Sequence, residues 1–323
     1  MLGERRGLLA WKLYCPRCGW TGDSEEYKPY CPRCGSPLEV LGELPRPGSI
    51  LGEGGTPVVR VGRRVYKLDY LNPTGSFKDR GASLSVYIAE RLGYECVVED
   101  TSGNTGLAVA AYAARLGLKA RIHAPRSIAP GKARIIRSLG GELRIHETRE
   151  AAAEAAKRDS SSCFYVAHAY SPIFIEGTSS IARELAPLAR EAPILVPVSS
   201  GTLILGLYRG LKRLGVKPRI IAVQAVEAAS LLGRVPLLAS TKADTSRLAD
   251  ALVLKNPPRL EEIAAASSGL VVVGDPEIEK GMRALYGKGF IVEPSSASVE
   301  AAAEMAGLEE AVLVLTGSGL KYH

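Results

Sequence analysis

The alternation of strand-like and helix-like segments constrains the fold of this 323-residue chain more than any other feature. Past Gly48, short β-branched runs such as ECVVE (95–99) and PILVPV (193–198) alternate with Ala/Leu-rich stretches such as LAVAAYAARLG (107–117). Further strands are predicted at 120–124, 163–167, 219–224, 270–274 and 311–315, and further helices at 147–158, 181–190 and 298–307. Strands that alternate with helices form parallel sheets covered on both faces. The sequence therefore predicts an α/β protein with two three-layer domains.

The composition is that of an ordinary soluble protein. The net charge is +7, but lysines and arginines are scattered among acidic residues, and aromatic residues make up only 6%. This pattern favours small anionic ligands over nucleic acid, which is typically bound by a basic stripe with aromatics. No apolar run approaches the roughly 18 residues of a membrane span, and the N-terminus has no signal-peptide core. We therefore expect a cytoplasmic protein without membrane or nucleic-acid partners.

The hexapeptide YCPRCG occurs twice near the N-terminus, at 14–19 and at 30–35. Each copy holds a CxxC pair followed by glycine, and two such pairs typically form a structural zinc site with four thiolates. The predicted ligands are Cys15, Cys18, Cys31 and Cys34. Two disulfides, two redox pairs and a nucleic-acid-binding ribbon are the alternatives. The sequence predicts a zinc ribbon over residues 1–42, whose folding depends on the metal because so short a segment buries little core.

The other two cysteines, Cys96 and Cys163, lie singly in apolar surroundings. Free cysteine behaves as a small buried apolar side chain. We therefore expect both residues to be unpaired members of the core.

Three turns that follow predicted strands are rich in glycine and hydroxyl side chains. They are DTSGNTG (100–106), SSGTLILG (199–206) and TGSGLKYH (316–323). The first two open helices, where backbone N–H groups and the helix dipole favour anions. Ligands in parallel α/β folds bind at the carboxyl ends of strands. These turns are therefore the predicted binding site, although each alone is also an ordinary helix cap.

A single lysine in NPTGSFKDRG (72–81) raises a different question. Ser76 is placed to cap a helix, with Asp79 as the acidic partner three residues later. Lys78 then lies in the first turn, where the dipole disfavours a cation by about 0.3–1 kcal/mol. One interpretation is an ordinary surface lysine. The other is an amine that forms a Schiff base with a carbonyl compound.

Five motifs taken together resemble, in order, those of the pyridoxal-phosphate (PLP) enzymes of the second fold type. They are NPTGSFKDRG, TSGNTG, SSGTLILG, VEPSSAS (292–298) and LTGSGLK (315–321). The resemblance is greatest to the threonine synthase branch, whose archaeal members often carry an N-terminal zinc ribbon. It covers most of the chain and implies that the cofactor is pyridoxal 5'-phosphate.

The resemblance assigns a role to each matching residue. Lys78 would attach the cofactor and later move substrate protons, Asn104 would bind the 3-hydroxyl of the cofactor, and Thr316 would face its pyridine nitrogen. A neutral hydroxyl at that nitrogen favours elimination chemistry. The cofactor phosphate is assigned to the turn Ser199, Ser200, Gly201 and Thr202. The substrate carboxylate is assigned to Ser102, Gly103 and Thr105, although Ser102 and Thr105 are also ordinary helix caps.

One stretch departs from the threonine synthase pattern. That branch often binds the phosphate of O-phosphohomoserine with an Asn and an Arg before a helix that begins EG. The corresponding segment here is AYSPIFIEGTSS (169–180), with Ser171 and Phe174 near those positions. This is more similar to serine/threonine dehydratases. Cations that could replace the missing one are Lys132, Arg134, Arg137 and Lys321.

Three functions remain open at this stage. The first is a threonine synthase that converts O-phosphohomoserine and water to threonine and phosphate. The second is a β-replacement or β-elimination enzyme for serine, phosphoserine or threonine, such as a cysteine or cysteate synthase or a dehydratase. The third is a non-catalytic binding protein with the same fold. The resemblance also implies a homodimer with a small amino-acid substrate. The expected domains are the ribbon, a large PLP-binding domain (43–85 and 169–323) and a small mobile domain (86–168).

Overall fold

The computed structural model describes residues 11–321, which fall into two compact bodies. The first body comprises the chain up to Gly52 together with Lys78–Gly177, and the second comprises Glu53–Phe77 and the chain from Thr178 onward. The division into a ribbon, a large domain and a small domain, with boundaries at residues 42, 85 and 168, stays a prediction.

The described residues form fourteen strands and ten α-helices. The strands are β1 (Lys12–Tyr14), β2 (Thr21–Asp23), β3 (Glu39–Leu41), β4 (Val58–Val61), β5 (Arg64–Leu68), β6 (Cys96–Asp100), β7 (Lys119–Pro125), β8 (Glu142–His146), β9 (Phe164–Tyr165), β10 (Ile194–Pro197), β11 (Ile220–Ala225), β12 (Leu237–Ser240), β13 (Gly269–Val273) and β14 (Val312–Leu315). The helices are α1 (Lys78–Arg91), α2 (Asn104–Leu116), α3 (Pro130–Ser138), α4 (Arg149–Asp159), α5 (Pro172–Thr178), α6 (Ile181–Ala189), α7 (Thr202–Arg213), α8 (Leu260–Ala266), α9 (Asp275–Tyr286) and α10 (Pro294–Met305). Between residues 11 and 321, no helix combines the length and apolar content that crossing a membrane requires.

The first body contains a small sheet and a larger one. The small sheet is antiparallel, in the order β2-β1-β3, and Leu13 on β1 and Leu38, just before β3, are fully buried. The larger sheet is parallel, in the order β8-β7-β6-β9. Strand β6 lies inside this sheet and carries the buried pair Val97 and Val98, as expected for a strand covered on both faces. The predicted strand at 163–167 is shorter, because only Phe164 and Tyr165 pair with β6.

The second body contains a seven-stranded sheet in the order β12-β13-β11-β10-β14-β5-β4. All neighbours are parallel except β4 and β5, which form an antiparallel pair at one edge. The interior strands β10, β11, β13 and β14 are almost wholly buried. With the parallel sheet of the first body, this confirms the predicted α/β class. Because β10 and β14 are parallel neighbours, their carboxyl ends lie at the same edge of the sheet.

The expectation of two unpaired core cysteines was wrong, since Cys96 and Cys163 form a disulfide. The two residues are 67 positions apart in sequence, and their Cα atoms are 4.9 Å apart. Strand pairing explains the contact, because Val97 lies opposite Phe164 in the β6–β9 ladder and the preceding residue of each strand is a cysteine. Both cysteines are buried, as expected, but they act as a covalent link between two strands of the first body.

Candidate active site and cysteine cluster

The two YCPRCG repeats fold into equivalent turns in the first body. In each, the glycine has a φ of +71° and its N–H donates to the carbonyl of the first cysteine at 2.9 Å: Gly19 to Cys15, and Gly35 to Cys31. This backbone conformation favours glycine over other residues. The sequence repeat is therefore a structural repeat, as predicted.

The four cysteines of these turns converge on one point. Their sulfur atoms all lie within 4.8 Å of one another, with Cys15 and Cys34 at 3.5 Å and Cys18 and Cys31 at 3.6 Å. Four thiolates around a tetrahedral zinc ion stand about 3.8 Å apart, given a zinc–sulfur distance near 2.3 Å. All four thiols are free of disulfides. The cluster is therefore compatible with zinc and rules out the two-disulfide alternative in this structure.

The turn before Lys78 belongs to the second body and is built by side-chain contacts. Asn72 accepts a hydrogen bond from the Gly54 N–H at 2.9 Å and donates to the Asp69 carbonyl at 2.7 Å. Gly75 has a φ of +77°, and its carbonyl accepts from the Lys321 ammonium at 2.7 Å. Lys321, one of the candidate phosphate-binding cations, therefore supports this turn.

The predicted capping role of Ser76 was wrong. Ser76 is fully buried, its backbone pairs with Gly317, and its hydroxyl has no hydrogen-bond partner among residues 11–321. The neighbouring Phe77 N–H donates to the Thr316 carbonyl at 3.0 Å. The turn is therefore fixed by backbone pairing with the segment after β14, and α1 begins at Lys78 without a serine cap.

The turn Ser199–Thr202 follows β10 and opens α7 in the second body. Gly201 has a φ of +83°, and a Cβ there would lie 2.2 Å from Ile263, so glycine is required by conformation and by space. The Ser199 hydroxyl accepts from the Leu254 N–H at 3.3 Å. The Thr202 hydroxyl is buried and has no partner within the described part of the chain. A bare helix start with an unsatisfied hydroxyl is suited to a phosphate.

Thr316 lies at the end of β14, which is the neighbour of β10. Its N–H donates to the Ser296 hydroxyl at 2.8 Å, and its side chain is buried. Since β10 and β14 end at the same edge, and Ser76 pairs with Gly317, three of the predicted motifs lie at that edge of the second body. Two of the three predicted turns, after β10 and after β14, therefore meet at one edge of this body, and the convergence of all three stays a prediction.

The loop DTSGNTG connects β6 to α2 in the first body. Gly103 has a φ of +143°, its N–H donates to the Thr101 hydroxyl at 2.9 Å, and Asn104 is the first residue of α2. A Cβ on Gly103 would lie 2.5 Å from Cδ of Lys132, whose side chain is only 1% exposed. Of the four candidate cations, Lys132 is thus packed on the predicted substrate loop, whereas Arg134 and Arg137 are exposed.

Lys78 has neighbours that the motif reading missed. Its Nζ lies 5.5 Å from the ring centre of Phe174, and the His168 ring contacts the same ring edge-on at 5.9 Å. His168 is paired through Nδ1 with the fully buried carboxyl of Glu99, which also accepts from the His168 backbone N–H at 3.3 Å. An acidic residue at the end of an otherwise apolar strand, VVE, was the sequence signal that could have found it.

Burial controls the charge of this cluster. It raises the pKa of Glu99 from 4.5 to about 8, although backbone N–H groups and the nearby Lys78 charge act in the opposite direction. Burial and the same lysine charge lower the pKa of His168 well below its usual value. The His168 imidazole is therefore neutral at physiological pH, and the Glu99 carboxyl loses its proton near physiological pH.

Ser171 and Phe174 stand where the threonine synthase pattern has Asn and Arg. The Ser171 hydroxyl accepts from the Tyr27 hydroxyl at 2.8 Å and from the Phe174 N–H at 3.2 Å. Both residues are fully buried in the first body, and a Cβ on Gly81 would lie 2.3 Å from the Phe174 ring. The positions expected to bind a substrate phosphate are therefore occupied by the apolar ring of Phe174 and by the Ser171 hydroxyl, which already accepts two hydrogen bonds.

The predicted site residues are divided between the bodies. The first body contains Lys78, Ser102, Gly103, Asn104 and Thr105. The second body contains Ser199, Ser200, Gly201, Thr202 and Thr316. Within each body the residues are grouped at strand ends or helix starts, as predicted from their motifs.

Comparison with known proteins identifies the family. Residues 50–317 match the family described as "Pyridoxal-phosphate dependent enzyme". The threonine synthase of a Synechocystis species is 32% identical over 95% of this chain and 86% of its own length. That of a Bacillus species is 33% identical over 85% of each chain, and that of Methanocaldococcus jannaschii is 29% identical over 84% of this chain and 76% of its own.

Solved structures share the fold at lower identity. O-ureido-L-serine synthase has a TM-score of 0.72 and 23% identity, covering 86% of this chain and 94% of its own. Maize serine racemase has a TM-score of 0.71 and 24% identity, covering 82% of this chain and 88% of its own. The chain therefore belongs to the pyridoxal-phosphate-dependent enzymes of the second fold type, and within them it is a lyase that is similar to threonine synthases.

Proposed function

We propose that this lyase converts O-phosphohomoserine and water to threonine and phosphate. The observation that carries the proposal is the similarity to threonine synthases. The Synechocystis protein is 32% identical over 95% of the chain. The order of motifs from NPTGSFKDRG to LTGSGLK supports it as well. The family match disfavours the non-catalytic alternative.

The residues of each body fit pyridoxal phosphate. The clearest observation is the Ser199–Thr202 turn, where a left-handed glycine opens a twelve-residue helix and the buried Thr202 hydroxyl lacks a partner within residues 11–321. We assign the cofactor phosphate to this turn. Lys78 is assigned to covalent attachment, Asn104 to the cofactor 3-hydroxyl and Thr316 to the pyridine nitrogen. When bound, the cofactor withdraws electrons from the substrate α-carbon and weakens its bonds.

Lys78 is proposed to move the substrate protons. Its Nζ would take the α-proton and then a β-proton, after which phosphate leaves the γ-carbon. A proton would then be returned to the γ-carbon, water would add its hydroxyl at the β-carbon, and a proton would be returned to the α-carbon to give threonine. A lysine at the start of α1 is suited to this work, because the helix dipole disfavours the ammonium form and leaves the amine available as a base. Ser102, Gly103 and Thr105 at the start of α2 would hold the substrate carboxylate with backbone and hydroxyl donors.

A second candidate is elimination or replacement at the β-carbon of serine, phosphoserine or threonine. The observation that favours it is the pair Ser171 and Phe174, which offers no cation where the threonine synthase pattern has one. Under this proposal Lys78 and the cofactor contacts are unchanged, and only the side-chain pocket differs. Lys132, buried against Gly103, is the cation best placed to compensate under the first proposal.

The two candidates are separated by product analysis with the holoenzyme. Phosphate and threonine are measured with O-phosphohomoserine, phosphate with O-phosphoserine, and 2-oxo acid with serine and threonine. Threonine formed from O-phosphohomoserine supports the first candidate. Turnover of the β-substituted substrates alone would refute it and support the second. Lys78→Ala serves as the inactive control in each assay.

We also propose that the four-cysteine cluster binds a structural zinc ion. The sulfur spacing fits tetrahedral thiolate coordination, and four protein ligands leave no position for substrate. Metal analysis of the purified protein should give one zinc per chain. The absence of stoichiometric metal, with all four thiols titratable, would refute this assignment.

The resemblance further suggests a homodimer, which light scattering of the purified protein would test. It also suggests a cytoplasmic enzyme with a small amino-acid substrate. The oligomeric state, the location and the substrate class all stay predictions.

A further inference from the structure

Three side-chain pairs join the N-terminal segment (residues 11–46) to the chain that enters and forms helix α5 in the first body. The pairs are Tyr27 with Ser171, Tyr30 with Tyr170, and Arg46 with Glu176. The Tyr27 pair is the buried one: its hydroxyl donates to the Ser171 hydroxyl at 2.8 Å, and the two residues are 6% and 0% exposed. Each of the other pairs includes an exposed side chain. None of the roles proposed above uses the Tyr27 contact.

The Tyr27 side chain is held in place on two sides. It lies between the two cysteine pairs in sequence, and the four sulfur atoms of those pairs converge on one point, so both ends of its loop are anchored. Its ring also stacks on the ring of Phe164 in β9, with the ring centres 4.2 Å apart. The hydroxyl therefore meets Ser171 from a side chain that has little freedom to move.

Ser171 immediately precedes α5 and organises its first turn. Its hydroxyl accepts from the Phe174 N–H at 3.2 Å, in addition to the bond from Tyr27, and its carbonyl accepts from the Ile175 N–H at 3.3 Å. The first N–H groups of a helix need partners of this kind. The Ser171 N–H in turn donates at 3.0 Å to the carbonyl of Ala167, whose φ of +42° is rare for a residue with a side chain. Such a conformation persists where neighbouring contacts hold it.

Helix α5 lies directly against the first turn of α1, which carries Lys78. A Cβ on Gly81 would lie 2.3 Å from the Phe174 ring, and a Cβ on Gly177 would lie 2.3 Å from the Arg80 carbonyl oxygen. Glycine at both positions therefore allows this close approach. The Phe174 ring also lies 5.5 Å from Nζ of Lys78. A displacement of α5 would consequently be transmitted to the amine.

We propose that Tyr27 is a positioning residue for Lys78, acting through Ser171 and helix α5. The N-terminal segment then supports the reaction by holding the amine in place. Such support matters because proton transfer requires the amine to lie within hydrogen-bond reach of the atoms it serves, and small misplacements slow a reaction steeply. The proposal rests on the role of Lys78 proposed above.

Amide hydrogen exchange of the holoenzyme tests the contact without turnover. Tyr27→Phe keeps the ring stacking and removes only the hydroxyl that bonds to Ser171. Loss of this buried hydrogen bond should make the Phe174 and Ile175 amides exchange roughly fivefold faster. Tyr14→Phe is the matched control, because Tyr14 lies on β1 of the same segment and belongs to none of the three pairs. Unchanged exchange in Tyr27→Phe, or equal acceleration in both variants, overturns the proposal.

A double-mutant cycle tests the route through Ser171. Ser171→Ala removes the acceptor of the Tyr27 hydroxyl and of the Phe174 N–H, so it should accelerate exchange at the start of α5 more than Tyr27→Phe does. In the Ser171→Ala background, Tyr27→Phe should add less than about twofold, because its partner is already absent. A full second acceleration in that background would show that Tyr27 acts by another route, and it overturns the proposal.

The urea dependence of exchange in the wild-type protein covers variants that fold poorly. The Phe174 and Ile175 amides should lose protection at urea concentrations no higher than those that expose the Cys15 and Cys31 amides, which are bonded within the cysteine turns. This order is expected because α5 depends on the N-terminal segment. Cysteine turns that open while Phe174 and Ile175 stay protected overturn the proposal.

Steady-state kinetics connects the contact to the reaction. With a substrate identified by the product assays, Tyr27→Phe should lower kcat roughly threefold or more and change KM by less than about twofold, because a displaced amine slows proton transfer without removing a substrate contact. Tyr14→Phe should change neither. An unchanged kcat, or a loss confined to KM, overturns the proposal. A protein that turns over none of the tested substrates refutes the proposed function, but it leaves the exchange measurements unaffected, so the two failures are distinguishable.

Discussion

The turn Ser199–Thr202 in the second body and the surroundings of Lys78 in the first body differ in the kind of polar group that they contain. The turn has no titratable side chain, and its donors are backbone N–H groups, hydroxyls and the dipole of α7. The Lys78 surroundings contain a buried acid, a neutral imidazole and the amine itself. One region offers fixed dipoles, and the other offers protons that can move.

This contrast separates two tasks of a cofactor enzyme. Fixed dipoles bind an anion equally well across the neutral pH range, because nothing in the turn changes its charge. A cluster of buried acids and bases responds to pH, because each group titrates within reach of another. We therefore expect changes in the turn to alter binding and changes around Lys78 to alter pH dependence.

The largest expected effect is that of Lys78→Ala. Removing the amine removes covalent attachment and the proposed base, and loss of a general base alone typically costs 10²- to 10⁴-fold in rate. We expect the yellow absorbance of the purified protein to be lost and turnover to fall by at least about 10³-fold. Lys119→Ala, an exposed change on β7 of the same body, should leave both unchanged. Retained absorbance in Lys78→Ala would contradict the assignment.

The disulfide should stabilise the first body in particular. Closing a loop between residues 67 apart restricts the unfolded chain by roughly 4 kcal/mol in the chain-entropy treatment. The double variant with Cys96→Ser and Cys163→Ser should therefore lower the free energy of unfolding by up to about 4 kcal/mol. Hydrogen exchange should show the loss in β6 and β9 and leave the strands of the second body protected. Equal loss in both bodies would argue against a local constraint.

Gly201→Ala should damage the turn in the second body. The substitution forces a side chain into a left-handed conformation and places Cβ 2.2 Å from Ile263, at a cost of about 3 kcal/mol. We expect weaker cofactor binding, measured by titration of the protein with pyridoxal phosphate. Gly215→Ala is the matched control, since Gly215 has a φ of +69° and no atoms within 4 Å of an added Cβ. Binding lost equally in both variants would indicate general destabilisation.

Sequence analysis predicted the elements whose signals are local. Strands β6, β7, β10, β11, β13 and β14 and helices α2, α4, α6 and α10 were predicted from apolar runs and helical spacing. Strand β8 was missed because its sequence ELRIH mixes charged and apolar residues, and only its pairing with β7 in the structure reveals it. The cysteine repeat was predicted because its spacing alone defines the ligand set.

The missed features depend on contacts distant in sequence. Glu99 and His168 are 69 residues apart, and Cys96 and Cys163 are 67 apart, so no local pattern joins them. Both pairs arise because β6 and β9 are neighbours in the sheet. The capping role of Ser76 was wrong for the same kind of reason, since its backbone pairs with Gly317, which is distant in sequence.

The smallest predicted effect is the pH dependence of stability that Glu99 confers. The folded pKa of Glu99 is raised from 4.5 to about 8, so between these values the native state holds a proton that the unfolded chain has released. Stability from this group is complete below about pH 4.5 and is lost as pH rises through about 8. His168 has the opposite sign, since its pKa is lowered, and its contribution is lost below the usual histidine value of about 6.5.

A comparison between pH 7 and pH 9 therefore isolates Glu99 from His168. Wild-type protein should lose about 1 kcal/mol more than Glu99→Gln over this range, measured by urea unfolding, because the glutamine has no proton to lose. Glu142→Gln should follow the wild type, since that carboxylate is half-exposed. Equal losses in wild type and Glu99→Gln would mean that Glu99 ionises as an ordinary acid. The contrast between the two regions would then fail, because the surroundings of Lys78 would contain no group with a shifted pKa, as in the turn Ser199–Thr202.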